Sequence, residues 1–153
     1  MMIQKPKNKG RFAGIPLEVV QSEAFKSLKG NSVKLLVILA SQYNGYNNGN
    51  LVVTESITGQ WLNKNTMFKA RDELYSKGFI VINAYGGRGH GKNIPHLYAL
   101  TWKPINYLKN GVRVTHYQTN KDSLDYWQTG ANPDIKPREE RLEQFKKDIG
   151  EDA

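Results

Sequence analysis

Apolar residues recur along this chain with two periods, and the change from one to the other divides it. Pro16 stands where a first helical turn can begin, and Ser22 is placed to cap a short helix through Leu28, stopped by Lys29-Gly30-Asn31. With Ser32 as the next cap, Val33, Leu35, Leu36, Val37, Leu39, Ala40 and Tyr43 predict a helix buried on most sides and ended by Asn44-Gly45. The string from Tyr43 to Asn50 is rich in asparagine and glycine, residues that tolerate positive φ, and predicts a tight loop before a short strand at Leu51-Val52-Val53. Thr54 can cap a helix through about Leu62. Asn63 or Asn65 can cap another through about Lys77, with Gly78 after its end. On that helix Met67, Ala70, Leu74 and Tyr75 share one face, opposite Asn65, Lys69 and Ser76. The period then shortens: Phe79 to Asn83 and His96 to Trp102 are β-rich and predict a hairpin with a long glycine-rich tip. Beyond Pro104 the pattern weakens. Val112 to Tyr117 alternates as a weak strand would, and Ser123 to Gln128 suits one helical turn. Pro137 to Ile149 predicts a helix with the narrow apolar stripe Leu142, Phe145 and Ile149, which suits docking on the body or a partner.

Charge adds the first functional constraint. The 153 residues suffice for one domain with a core, and their formal charge is +8, unevenly spread. Lys5, Lys7, Lys9 and Arg11 all precede the first acid, Glu18, whereas from Asp134 onward five Lys or Arg face seven Asp or Glu. A basic body with a basic arm favours polyanionic partners, because neutralised phosphates release counterions. The absence of cysteine excludes disulfides and thiolate metal sites. The longest apolar run, Leu35 to Ala40, is far short of a membrane span, and no apolar stretch follows the charged start. The expectation is a cytoplasmic protein with no membrane partner, no metal and no cofactor.

One motif invites a nucleotide reading. Gly86-Gly87-Arg88-Gly89-His90-Gly91-Lys92 has the G-x-x-x-x-G-K spacing of a phosphate-cradling loop. Such a loop needs a hydroxyl after the lysine and a helix whose first amides hold the phosphates. Here Asn93 replaces the hydroxyl, Pro95 disfavours helix at Ile94, and the residues after it favour a strand. Nor do His90, His96 and His116 have metal-ligand spacing, and a triad drawn from Ser56, His90 and Asp72 is indistinguishable from chance. The expectation is a protein that is not an enzyme.

What remains is a helix-turn-helix followed by a hairpin with a basic tip. Residues 54 to 79, above all Leu62-Asn63-Lys64-Asn65-Thr66-Met67 leading to Ala70, Leu74 and Lys77-Gly78-Phe79-Ile80, resemble the winged helix-turn-helix family of bacterial DNA-binding proteins. Trp61 departs from the family, standing where its turn usually carries glycine. The resemblance spans roughly residues 32 to 102. A weaker one, carried by Phe12 to Pro16, the Tyr43 to Leu51 string and the helix between, extends it to small winged-helix proteins of prophages and mobile elements, some related to replication initiators. The fold this implies is α+β: a winged helix-turn-helix with a helical core, a small antiparallel sheet and a β-hairpin wing. Residues 1–14 would be a basic N-terminal arm, 15–103 the winged-helix domain, 104–136 an irregular extension and 137–150 a C-terminal helix.

The residue types suit that role physically. A recognition helix enters the major groove by its N-terminal end, where Asn65 can pair with an adenine edge, Thr66 can meet a base or phosphate, and Lys69 lies one turn on. Asp72 and Glu73, further along, would repel phosphates and limit insertion to the first turn. Lys64, Arg88, His90, Lys92 and Arg11 would hold the backbone. The expected function is therefore non-enzymatic binding of double-stranded DNA, as a transcriptional regulator or replication-associated factor of a phage, plasmid or bacterium. The alternative is a winged-helix interaction module whose C-terminal stripe binds a protein partner or a second copy.

Overall fold

Pro16 and Ser22 each start a single helical turn, α1 (Leu17–Val20) and α2 (Glu23–Lys26), the second capped by the Ser22 hydroxyl, which accepts from the Phe25 amide at 3.1 Å. The computed structural model describes residues 10–106, 113–117 and 122–150, a mixed α+β chain. α2 ends before Lys29-Gly30-Asn31, the expected stop, and the same residues also open α3 (Gly30–Gln42). The Lys29 amide donates to Glu73 at 3.0 Å, so a tertiary bond locates this helix start. Ser32, expected as the cap, lies inside the first turn, buried against Glu73. Leu35, Leu36, Ile38 and Leu39 are buried on α3, which packs on the helix Lys64–Ser76.

The Asn-Gly string is a tight loop with Gly45 and Gly49 at positive φ. The strand expected at 51–53 reduces to a single bridge between Leu51 and Tyr98, because the Gln42 side-chain amide takes both the N–H and the C=O of Val52, each at 2.9 Å. The helix after Thr54 is likewise one turn, α4 (Glu55–Thr58), ending before Gly59 rather than at Leu62, and Thr54 makes no side-chain capping bond. α5 (Lys64–Ser76) starts where Asn63 caps it, the side-chain oxygen accepting from the Thr66 amide at 3.0 Å, and Gly78 follows at φ 82°.

The hairpin is a ribbon in two pieces. At its base β1 (Ile80–Ala84) pairs antiparallel with β4 (Leu97–Leu100), and at its tip β2 (Gly87–Gly89) pairs with β3 (Lys92–Ile94) through a two-residue turn. His90 and Gly91 both have positive φ, the geometry a tight hairpin turn demands. Between the pieces Pro95 has no amide to give. The waist is bonded instead by side chains: His96 Nδ1 accepts the Gly86 N–H at 2.7 Å, and Arg113 donates to the carbonyls of Tyr85 and Pro95 at 2.7 and 2.6 Å. A Cβ on Gly86 would overlap the backbone of Ile94, Pro95 and His96, so only glycine fits this crossing.

Both faces of the ribbon base are buried. Ile80, Ile82, Tyr98 and Leu100 join the helical core, while Val81 and Ala99 are covered from the other side by Ile105, Tyr117, Leu124 and Tyr126. The extension after residue 103 is therefore a second layer on the sheet. Residues 113–117 form no strand, contrary to the alternation; the amides of His116 and Tyr117 bond to the Asn83 carbonyl and side chain at the β1 bulge. Val112 lies outside the described residues, as do Lys5, Lys7 and Lys9 of the arm. A 3-10 turn (Tyr126–Gln128) buries Trp127, and α6 (Arg138–Ile149) is the last described helix, with Gly150 left-handed behind it. Among the described residues no helix is long and apolar enough to cross a membrane.

Candidate nucleic-acid interface

α5 sorts its side chains by the 100° advance per residue. Met67, Ala70 and Leu74 face the core. Asn65 and Lys69 stand on the exposed outer stripe, with Asp72 and Ser76 continuing it. Thr66, expected with Asn65 and Lys69, is turned off that stripe and half-buried, its amide already held by Asn63. Lys64 is exposed but leans on Glu55 of α4 at 3.7 Å, a pair that links the two helices across their turn. Trp61 in that turn is 44% exposed, and its carbonyl accepts from Lys34 of α3 at 3.1 Å.

The two acids expected to repel phosphates are both engaged. Asp72 accepts from Arg71 at 2.8 and 3.0 Å. Burial opposes ionisation of Glu73, but bonds from Ser32 and the Lys29 amide and the charge of Lys77 outweigh it and hold the carboxyl below its usual range. Glu73 thus fixes α3 and α5 together.

The ribbon tip divides its residues by face, since strand side chains alternate. Gly87 and Gly89 point at α6: a Cβ on Gly87 would stand 2.9 Å from the Phe145 ring, and one on Gly89 would overlap the Ile149 side chain. Arg88 leaves the opposite face, exposed, and Lys92 is exposed beside the turn. Having no side chains, these two glycines bring the tip backbone close to α6. His90 is also drawn toward α6, its Nε2 lying 3.3 Å from the Ile149 carbonyl oxygen. Arg11 is exposed at the far N-terminal end of the described chain. Lys92 belongs to a strand followed directly by another strand, so the near-match lacks the helix that a nucleotide loop needs.

Between α5 and the ribbon runs a groove of about 1570 Å³, whose lining includes Phe68, Arg71, Tyr75, Arg88, Arg138 and Arg141. Of these, the sequence reading names only Arg88 as a nucleic-acid contact. Arg71 stacks on Phe68 at 4.6 Å and Arg141 on Tyr75 at 5.7 Å. Among the described residues no three His, Cys, Asp or Glu gather to hold a metal ion. Ser56, Asp72 and His90 each have separate partners, in Thr54, Arg71 and Ile149.

His96 sits at the groove's inner edge, edge-on to Tyr85 and Tyr98. Burial, reinforced by the charges of Arg141, Arg71 and Arg113, pushes its pKa down to about 3. An unfolded histidine titrates near 6.5. The unfolded chain therefore binds the extra proton first, and stability present above about pH 6.5 is lost as pH falls from there toward 3, at up to ~1.4 kcal/mol per unit. Urea unfolding should show ~2 kcal/mol less stability at pH 5 than at pH 7 from this group. His96→Asn, which keeps an acceptor for the Gly86 N–H, should lose correspondingly less; equal losses in both proteins would refute the assignment.

Compared with protein-family models, with curated proteins and with solved structures, the chain matches none.

Proposed function

We propose that this protein binds double-stranded DNA as a winged helix-turn-helix, without acting chemically on it, and serves as a transcriptional regulator or replication-associated factor of a phage, plasmid or bacterium. In this reading α4 and α5 are the helix-turn-helix and the ribbon tip is the wing. The observation that carries it is the presence on two elements of exposed polar and basic groups, Asn65 and Lys69 on one and Arg88 and Lys92 on the other, that have no side-chain partner among the described residues. Asn65 and Lys69 read the major groove by the first turns of α5, and Asp72 behind them limits its depth. Arg88 and Lys92 take the backbone. Thr66 and Lys64, being partly engaged, are supports of the helix start. His90 shapes the wing's turn.

Fluorescence anisotropy with duplex, single-stranded DNA and RNA across a salt series tests this. Duplex should bind best, with an affinity that falls steeply with salt. Arg88→Ala with Lys92→Ala should flatten the slope of log K against log salt by about 0.9 for each phosphate no longer neutralised. An unchanged slope would remove the wing from the contact surface, and no duplex binding at low salt would remove the function. The stripe on which the interaction-module alternative depends packs partly on the ribbon tip, with Phe145 1% exposed there, which favours the duplex reading over it.

A further inference from the structure

The helix α6 belongs to a segment whose net charge is acidic, yet it sorts its charges by face. Residues 138, 141, 142, 145 and 149 fall within an arc of about 100° at the helix's advance of 100° per residue, and so share one side. The C-terminal half of that side is docked, with Leu142 and Phe145 over Gly87 and Phe145 and Ile149 over Gly89. On the N-terminal half, Arg138 and Arg141 line the groove between α5 and the ribbon. Glu139, Glu140 and Glu143 lie on the exposed outer side with Lys147.

The groove's own acids do not answer these arginines. Glu55 pairs with Lys64, Asp72 with Arg71 and Glu73 with Lys77. Among the described residues no carboxylate pairs with Arg138 or Arg141, and Arg141 Nε is buried with no acceptor. A guanidinium held on an aromatic ring and paired with no carboxylate is suited to a phosphate oxygen, whose geometry its planar fork matches.

We infer that α6 is a third wall of the nucleic-acid site, in which Arg138 and Arg141 hold backbone phosphates of the duplex that α5 reads. The inference rests on the duplex-binding reading above. It gives the glycine face of the wing a purpose: by seating α6, Gly87 and Gly89 aim two cations into the groove from a helix whose other side is acidic.

The test compares the full chain with Arg138→Gln, with Arg138→Gln plus Arg141→Gln, and with Lys146→Gln plus Lys147→Gln, which removes the same formal charge from exposed positions of α6. Duplex affinity is measured across a salt series, and thermal unfolding checks that each variant folds. The arginine pair should flatten the salt slope by about 0.9 for each phosphate released, and Arg138→Gln alone by about half the pair's effect. The lysine pair should leave it close to the wild type. Equal flattening by the lysine pair, or a wild-type slope in the exposed-site variant Arg138→Gln, overturns the inference while leaving duplex binding intact. A wild-type protein that binds no duplex overturns both.

Discussion

Phe145→Ala should cost the docking of α6 about 3–5 kcal/mol and detach the helix from the ribbon. The ring is 1% exposed and lies over both Gly87 and Gly89. Those glycines have no side chains to lean into the void, so the site has little means of collapsing. Among the described contacts there would remain Leu142 and Ile149, the bond between His116 Nε2 and the Asp148 carboxylate at 3.0 Å, the approach of His90 Nε2 to the Ile149 carbonyl, and the stacking of Arg141 on Tyr75. A twelve-residue helix without its apolar seat is marginal in water. The loss should therefore appear as local opening rather than unfolding of the whole chain. Hydrogen exchange is the measurement that distinguishes them: amides of 142–149 should exchange far faster in the variant, while those of α3 and β1 keep their protection. Protection within about tenfold of wild type along α6 would mean that Phe145 is not its anchor. Duplex affinity should fall with it, through the displacement of Arg138 and Arg141.

This dependence of α6 on glycine shows what the chain declares about itself and what it withholds. α5 was legible, since Asn63, the Met67-Ala70-Leu74 face and Gly78 are local signals that agree with one another. So was the hairpin, and so was the stripe on α6. The start of α3 was not, because its first amide is satisfied by Glu73, a residue distant in sequence. α4 and the strand at 51–53 came out shorter than their composition suggested, the second because Gln42 claims the backbone of Val52. At the site, net charge misled. Summed along the chain, residues after Asp134 are acidic, but a helix separates neighbours by 100°, and the two arginines that reach the groove share a face with the apolar stripe. The spacing of 138 and 141 to 142 and 145 held that information. The two meanings of a glycine, room for a phosphate or room for a side chain, were separable only when the packing partner was known.

Asn48→Asp should destabilise the fold by about 3 kcal/mol or more at neutral pH, although it changes the side chain by a single group. Asn48 is 0% exposed and sits in the asparagine-rich loop that sequence marks only as a turn. Its oxygen accepts from the Leu100 amide at 2.7 Å, while its amide donates to the carbonyls of Leu100, Lys103 and Pro104 at 2.9, 3.1 and 3.1 Å. These bonds hold the end of β4 and the chain after it against the loop, and so set where the ribbon leaves the core. An aspartate keeps the shape and the acceptor but turns an oxygen toward three carbonyl oxygens in a buried site. Burial would raise that carboxyl's pKa in the folded chain above the unfolded value near 3.9, so the variant binds its proton more tightly when folded. A raised folded pKa favours the native state at low pH and is lost as pH rises, so the penalty relative to wild type should shrink on going from pH 7 to about pH 4.5. Asn48→Ala, which has nothing to titrate, should show a penalty that changes little over the same interval. Urea unfolding of the three proteins at both pH values measures this. A loss below about 1 kcal/mol at pH 7, or one that does not shrink with acid, would show that Asn48 is not the staple between the loop and β4.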